Sequence, residues 1–372
     1  MKSLGIALIG TGFMGKAHAF AYRAVHAAYP EVPEVRLEIV ADVSAAGAEQ
    51  AAAQYGFARA TGNWRDAIED PKVDVVSITT PNSFHKEMAL AAIAAGKHVH
   101  CEKPLAPTLA DAAEMMDAAE AKGVITQTGF NYIKNPLLKT ARDMIAAGEL
   151  GEITGFRGLH AEDYMTDSES PWTWRLDPAG GPGVVADLGS HIISMARFLL
   201  GPIAEVNADI ETVVKSRPVS PGAKERKAVL VDDIARLLVR FERGCGGTLE
   251  ANWLNAGRKM LLGFEVHGSM GGLSFNQEHL NVLHFYRAGG DPRHGGFTRI
   301  EAGPPHEPYG RFCVAAGHQL GFNDLKTIEM AEFLAACAGG PVAGPDFREA
   351  YEVQKVVAMA VESSKTRSWL KV

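Results

Sequence analysis

Residues 4–9 form an apolar run, Leu4-Gly5-Ile6-Ala7-Leu8-Ile9. It passes straight into Gly10-Thr11-Gly12-Phe13-Met14-Gly15 and then into a helical pattern reaching about Ala28. Nothing else in the chain restricts the fold as strongly. A strand with no polar alternation is buried on both faces, which means a parallel sheet covered by helices. In that setting each glycine has a mechanical reason. The first permits a tight turn, the second lets backbone approach a pyrophosphate, and the third lets helix pack on strand. The phosphates would rest on the helix amino end, where backbone N–H groups are free and the dipole is positive. The expectation is a dinucleotide site on Gly10, Gly12, Phe13, Met14 and Gly15.

The strand–helix rhythm continues. Val35 to Ala41 predicts a second strand, ending at Asp42. An acidic residue there accepts both adenosine ribose hydroxyls and repels a 2′-phosphate, which favours NAD over NADP. Asp42 lies further from the glycines than the ~20 residues of the fingerprint. The excess is Tyr29-Pro30-Glu31-Val32-Pro33, an inserted loop. Asp42 has a second reading, as the N-cap of a helix starting near Ser44. Helices follow at Ala45 to Tyr55 and Trp64 to Glu69, then a buried strand from Val73 to Thr79. That strand runs into Thr80-Pro81-Asn82-Ser83-Phe84-His85, whose polar groups would line the same sheet edge. His85 reads equally well as a helix first-turn residue with no ligand. After a helix from Met88 to Ala95 comes a strand, His98 to Cys101, stopped by Pro104, which cannot donate to a ladder. Glu102 and Lys103 therefore stand at the carboxyl end of a strand, where parallel sheets put their chemistry. Seen alone, such a pair reads as exposed surface charge. A helix from Thr108 to Lys122 and a strand from Val124 to Thr128 complete five strand–helix units, a doubly wound parallel sheet.

Past Gly129 the pattern changes. A helix from Pro136 to Ala147 precedes long strands at Ile153–Glu162, Ile203–Val214, Ile234–Glu242, Gly247–Asn255, Leu261–His267 and Leu280–Arg287. Such a series predicts one large, open, mainly antiparallel sheet with a solvent face, of the kind that serves as an oligomer interface. Helices return at Phe322 to Cys337 and Phe347 to Ser364. At 372 residues the chain exceeds one ordinary core, so two domains are expected, residues 1–129 and 130–372. Its net charge of −7 and lack of a basic tract argue against nucleic acid. No window approaches the ~18 apolar residues of a membrane span. The apolar amino end lacks an Ala-x-Ala pattern and reads as a strand, not a leader. Four scattered cysteines suggest neither disulfides nor a zinc site. A cytoplasmic enzyme or binding protein fits.

A second chemical cluster lies in Asp187-Leu188-Gly189-Ser190-His191, within a segment, Gly183 to Leu200, that reads as one helix. Four apart, Asp187 and His191 would share a face. A carboxylate beside an imidazole raises its basicity and fixes its orientation, as a proton-transfer histidine needs. The plainer reading is a helix-surface bond. A metal site is not expected, because no nearby His or Cys completes a ligand set. Trp172 and Trp174 upstream read as a sugar-stacking wall or simply as core.

Taken together, Gly10 to Gly15, Thr80-Pro81-Asn82 through His85, Ala95-Gly96-Lys97-His98-Val99 through Glu102-Lys103-Pro104, Trp174-Arg175 and Asp187 to His191 resemble the glucose-fructose oxidoreductase / inositol dehydrogenase / MocA (Gfo/Idh/MocA) family. The motifs fall in the family's order over about half the chain. The resemblance implies an N-terminal Rossmann domain and a second α+β domain with a large open sheet, assembled as homodimers or homotetramers. It puts the family's catalytic lysine at Lys103 and its Asp and His at Asp187 and His191. It puts Glu102 near the nicotinamide ribose. Ser194, where many members carry Asp, and Pro182 inside the glycine run depart from the pattern on the substrate side. The carboxyl half looks like members that oxidise pyranose sugars such as levoglucosan. The implied reaction is reversible oxidation of a secondary alcohol of a sugar or polyol. His191 would take the proton, Lys103 would steady the oxygen, and Tyr132, Lys134, Asp163, Trp172 and Arg175 would contact substrate. Two alternatives remain: an NADPH-dependent sugar-ketone reductase, and a non-catalytic nucleotide-binding regulator.

Overall fold

Six parallel strands form the sheet of the first unit: β1 (Leu4–Ile9), β2 (Val35–Ala41), β3 (Arg59–Thr61), β4 (Val75–Ile78), β5 (His98–Cys101) and β6 (Thr126–Thr128). Between them run α1 (Phe13–Ala28), α2 (Ala45–Tyr55), α3 (Trp64–Glu69), α4 (His85–Ala94) and α5 (Leu109–Lys122). The structure, a computed structural model, describes residues 3–372. Met1 and Lys2, with which the expected first domain begins, lie outside the described residues. The spatial order is β3-β2-β1-β4-β5-β6. The chain moves outward from β1 to β3, then returns to lay β4 against the other side of β1. That reversal puts the ends of β1 and β4 side by side, the place where such sheets bind ligands.

The local reasons are visible in the caps. Ser44 accepts from Gly47 N at 3.1 Å to start α2, and Thr108 accepts from Asp111 N to start α5. The α5 helix stops at Gly123, whose φ of 71° favours glycine. Ile6, Leu8, Val75, Val76 and Val99 are fully buried, as strands covered on both faces require. The short strand β3 was not expected. Its three residues carry no apolar pattern, and pairing with β2 alone makes it an edge.

The chain divides into two compact units. The first holds residues up to Lys134 together with Gly321–Glu352; the second holds Asn135–Leu320 and Val353–Val372. The sequence division at residue 129 thus differs in one respect that matters. Helix α9 (Phe322–Cys337) returns to the first unit, where Phe322 packs on Phe13 of α1 at 5.6 Å between ring centres. For clarity α6 (Pro136–Ala146), α7 (Val184–Asp187) and α8 (Gly189–Leu200) belong to the second unit, and α10 (Phe347–Thr366) carries the chain from the first into the second.

The second unit is built on a nine-stranded sheet. In chain order its strands are β7 (Ile153–Ala161), β8 (Ile203–Glu211), then, after a separate two-strand ribbon of β9 (Ser216–Pro218) and β10 (Arg226–Ala228), β11 (Ile234–Phe241), β12 (Gly246–Asn252), β13 (Leu261–Gly268), β14 (Gly271–Asn276), β15 (Val282–Arg287), β16 (Thr298–Glu301) and β17 (Leu370–Lys371). Their order is β16-β15-β14-β13-β7-β12-β11-β8-β17, antiparallel except between β7 and β12. The helix α8 covers one face closely. A Cβ at Gly158 of β7 would press on Ile192. The other face is charged: Arg236 of β11 pairs with Asp209 and Glu211 of β8, and Arg240 with Glu205. Among the described residues no single helix is long and apolar enough to cross a membrane, and all four cysteines are free.

The helix expected from Gly183 to Leu200 is two helices. The chain bends by 51° between the helical segment ending at Asp187 and α8. The cause is local. Leu188 O accepts the His191 N–H at 3.1 Å and also the His160 Nδ1–H at 2.9 Å, so a side chain from β7 occupies the ladder at the break.

The glycine turn generates a test. A Cβ at Gly15 would land on the Gly10 carbonyl oxygen, whereas one at Gly12 meets nothing within 4 Å. Gly15→Ala is expected to lower unfolding free energy by ~1–3 kcal/mol in urea titration. Gly12→Ala should change it by less than ~0.5 kcal/mol.

Candidate active site

The first half-site is the glycine turn. Gly10 takes φ of 97°, a left-handed value that glycine adopts at no cost. Thr79, just past β4, donates its hydroxyl to Gly10 O at 2.9 Å and so locks the two strand ends together. Gly12 and Phe13 are exposed, and the first N–H groups of α1 have no partner within the helix. Open space at Gly12 and free amides at the helix start are what a pyrophosphate needs, so the residues present fit a dinucleotide. Asp42 does not cap α2; Ser44 does. Instead Asp42 Oδ2 accepts from Thr11 N at 2.9 Å and Thr11 Oγ1 at 2.5 Å, bracing the turn from the end of β2.

His85 opens α4 but turns inward. It is fully buried, with Nδ1 3.0 Å from Pro104 O and Nε2 3.0 Å from Thr80 O. Its expected place beside a cofactor gives way to a structural one. The ring joins the turn after β4, at Thr80-Pro81-Asn82, to the turn after β5. Burial pushes its pKa down from the ordinary value.

Glu102 also differs from its expected role. Its carboxylate faces the interior, only 4% exposed. Oε1 takes His18 Nε2 of α1 at 2.8 Å and Lys326 Nζ of α9 at 2.9 Å, and Oε2 takes the Lys103 N–H at 3.3 Å. Lys326 also bonds Glu329 Oε2 at 2.6 Å, and His100 Nε2 lies 3.5 Å from the same oxygen. The His18 and His100 rings stack 4.5 Å apart. Burial raises the Glu102 carboxyl, but the Lys326 ammonium and the His18 contact outweigh it and hold it well below the usual range. Glu329 is likewise held down at about 2 against the effect of burial, by Lys326 and then His100. Burial and then the Lys326 charge lower His18 to about 4. Lys103 follows directly, half-buried at the strand end.

Lys134, expected at substrate, is used elsewhere. It is 8% exposed and its ammonium bonds the Glu332 carboxylate and Gly344 O. A lysine in that position holds loop to helix and has no charge to spare. Tyr132 is half-buried, its ring 6.1 Å from that of Phe322.

A second group of candidate residues lies in the other unit. Asp232 starts α7, its two oxygens accepting Gly183 N at 2.9 Å and Val185 N at 2.8 Å. That helix ends at Asp187, whose Oδ2 accepts from Tyr164 Oη at 2.9 Å and faces Arg175 Nε at 3.4 Å. Arg175 therefore serves Asp187 first, with its guanidinium also 4.6 Å over Trp174. His191, in the first turn of α8, is 6% exposed. The ring of His160 stands edge-on to it at 5.4 Å. His160 donates from Nδ1 to Leu188 O, and its Nε2 lies 3.2 Å from Glu162 Oε1. Asp163 is engaged by Gly257 N at 3.0 Å and Lys259 Nζ at 2.6 Å. Trp172 is half-buried under the Lys227 ammonium, 3.4 Å from the ring centre. Sequence reading missed His160, Glu162 and Tyr164. Their signal was faint: three polar residues at alternate positions of an otherwise ordinary strand end.

The buried knot predicts the acid limb of stability. Glu102, Glu329 and His18 all titrate lower in the folded chain than in the unfolded one, whose values are 4.5 and 6.5. The folded state therefore holds fewer protons, and stability rises with pH through this range. Unfolding free energy should climb from about pH 2 to about pH 6.5. Glu329→Gln should flatten the part below pH 4.5. A flat wild-type profile in urea titrations would remove the knot from the account.

Residues 4–130 match the oxidoreductase family with an NAD-binding Rossmann fold, and residues 138–274 match the GFO/IDH/MocA C-terminal domain. The chain is 36% identical over 386 residues to levoglucosan dehydrogenase of Pseudarthrobacter phenanthrenivorans, covering 100% of this chain and 99% of that one. A solved levoglucosan dehydrogenase in complex with NADH and levoglucosan superposes with a TM-score of 0.95 at 36% identity, again over 100% and 99%. An NAD binding oxidoreductase from Klebsiella pneumoniae is 41% identical with a TM-score of 0.95, over the same shares. Both halves of the motif set and both domain matches give one conclusion: the chain belongs to the Gfo/Idh/MocA family of oxidoreductases.

Proposed function

We propose that this chain is an NAD-dependent dehydrogenase that reversibly oxidises a secondary alcohol of a sugar or polyol, with anhydrosugars such as levoglucosan the foremost substrate class. One observation carries the reading: full-length likeness to a levoglucosan dehydrogenase whose structure holds NADH and levoglucosan. The chain's own residues support it. The open space at Gly12 and the exposed amino end of α1 suit the pyrophosphate, with Phe13 and Met14 beside it. Asp42 at the end of β2 suits ribose hydroxyls and disfavours a 2′-phosphate, against the NADPH reductase reading. A pure nucleotide sensor has no use for Lys103, Asp187 and His191 together.

In this reading Lys103 and His191 are the two groups that act on the substrate hydroxyl. The imidazole of His191 takes the hydroxyl proton as general base. The Lys103 ammonium donates to the same oxygen and stabilises the negative charge that develops there. Asp187 orients the imidazole and is itself steadied by Tyr164 and Arg175. NAD supplies the hydride acceptor when bound; the protein supplies alignment and the proton path. Tyr132, Trp172 and the unengaged nitrogens of Arg175 are the proposed substrate contacts. Assembly as a homodimer or homotetramer through the open sheet face completes the proposal.

Lys103→Ala is expected to cut kcat at least ~100-fold while the NADH dissociation constant stays within ~3-fold. Reduction of NAD, followed by absorbance with levoglucosan, aldoses and inositols, identifies the substrate class. Weakened cofactor binding with unchanged turnover would contradict the role given to Lys103.

A further inference from the structure

The mechanism above uses Lys103 but leaves unexplained the fully buried lysine behind it. Lys326 of α9 is 0% exposed and lies 224 residues from Glu102 in sequence, yet it spans Glu102 Oε1 and Glu329 Oε2 at 2.9 and 2.6 Å. Burying two carboxylates and one ammonium is expensive, and packed apolar side chains commonly do as well for stability. Such a group calls for a use beyond stability.

The contacts around Glu102 supply one. Its carboxylate is the last side chain of the strand end, and its Oε2 takes the N–H of the next residue, Lys103. Whatever fixes the Glu102 carboxylate therefore fixes the peptide from which the Lys103 side chain springs. His18 of α1, six residues after Gly12, binds the same oxygen as Lys326. The helix that carries the glycine turn and the ammonium from α9 thus meet on one carboxylate oxygen, at the strand end that carries Lys103. We propose that Lys326 is a positioning residue, which holds Glu102 inward and through it sets Lys103 relative to the glycine turn. The proposal rests on the dehydrogenase reading for its readout.

The knot also dictates how it fails. The ionisable and polar groups around His18 come from every element packed on it: Tyr22 on α1, Ser77 on β4, His100 and Glu102 on β5, Lys326 and Glu329 on α9. In the native chain Lys326 keeps its proton, because the two carboxylates outweigh its burial and raise its pKa. His18 is neutral at ordinary pH, being held down by burial and by that ammonium. Around neutral pH the native hold on Glu102 is therefore constant. Without the ammonium, a positive partner for Oε1 returns when His18, already bonded to it, takes up a proton, and the hold becomes dependent on pH.

The test is the charge-matched variant Lys326→Met with Glu329→Gln, which removes one charge of each sign. It is expected to bind NADH within ~3-fold of wild type and to lose at least ~10-fold in kcat at pH 8. That loss should partly recover towards about pH 6, relative to wild type, as His18 takes up a proton. A folded variant with wild-type kcat and an unchanged pH profile would overturn the proposal, as would a loss equal at every pH. Should the variant not fold, Glu102→Gln tests the same link, since Lys326 then keeps Glu329 as its counter-ion. The expected result is the same loss of kcat with cofactor affinity within ~3-fold, and unchanged kcat overturns the proposal. Lys103→Ala separates the two levels. Retained turnover there defeats the dehydrogenase reading itself. Lost turnover there, with both Glu102 and Lys326 variants unaffected, defeats only the positioning role.

Discussion

A single buried ammonium, Lys326, bridges carboxylates from β5 and α9, and much of the first unit follows from it. Two carboxylates and an ammonium with no solvent access are tolerated only when every partner is in place. The structure meets that demand with residues from three elements: His18 from α1, Glu102 from the end of β5, Glu329 from α9 itself. Because a half-satisfied cluster is worse than an apolar core, these elements cannot drift independently. The result is a rigid mount for the glycine turn and for Lys103. At the same sheet edge His85 is packed between the carbonyls of Thr80 and Pro104, with one ring N–H to donate.

The second unit solves a similar problem with different parts. The backbone at His191 is held at the helix break: the carbonyl of Leu188 takes the backbone N–H of His191 and the ring N–H of His160, and the two rings stand edge-on at 5.4 Å. That shared acceptor breaks the helix between Asp187 and His191. Asp232 fixes the other end of the short helix before it, where burial pushes its carboxyl up to about 6 despite two backbone donors. Tyr164 and Arg175 then meet on Asp187.

How much of this was legible depended on whether the cause was local. Strands β1, β2 and β5 and helices α2, α3 and α9 were readable to their ends because periodicity, caps and a stopping proline lie within the segment itself. The strands β3, β14, β16 and β17 were not, since each is short or glycine-led and owes its existence to a neighbouring ladder. The glycine turn was readable because Gly10 and Gly15 answer local steric demands. The inward turn of Glu102 was not, because its partner lies in α9, and nothing near Lys134 announces Glu332. The spacing of Asp187 and His191 predicts one continuous helical face, but the break at Leu188 lies between them and involves His160, a residue from a different strand.

The proposed mechanism has the ammonium of Lys103 and the imidazole of His191 act on one substrate oxygen. A crystal structure of this chain with NADH and levoglucosan tests it most directly. The account predicts both nitrogens within ~3.2 Å of the same sugar oxygen. Nitrogens resting on different sugar atoms, or a Lys103 turned away from the sugar, would contradict it.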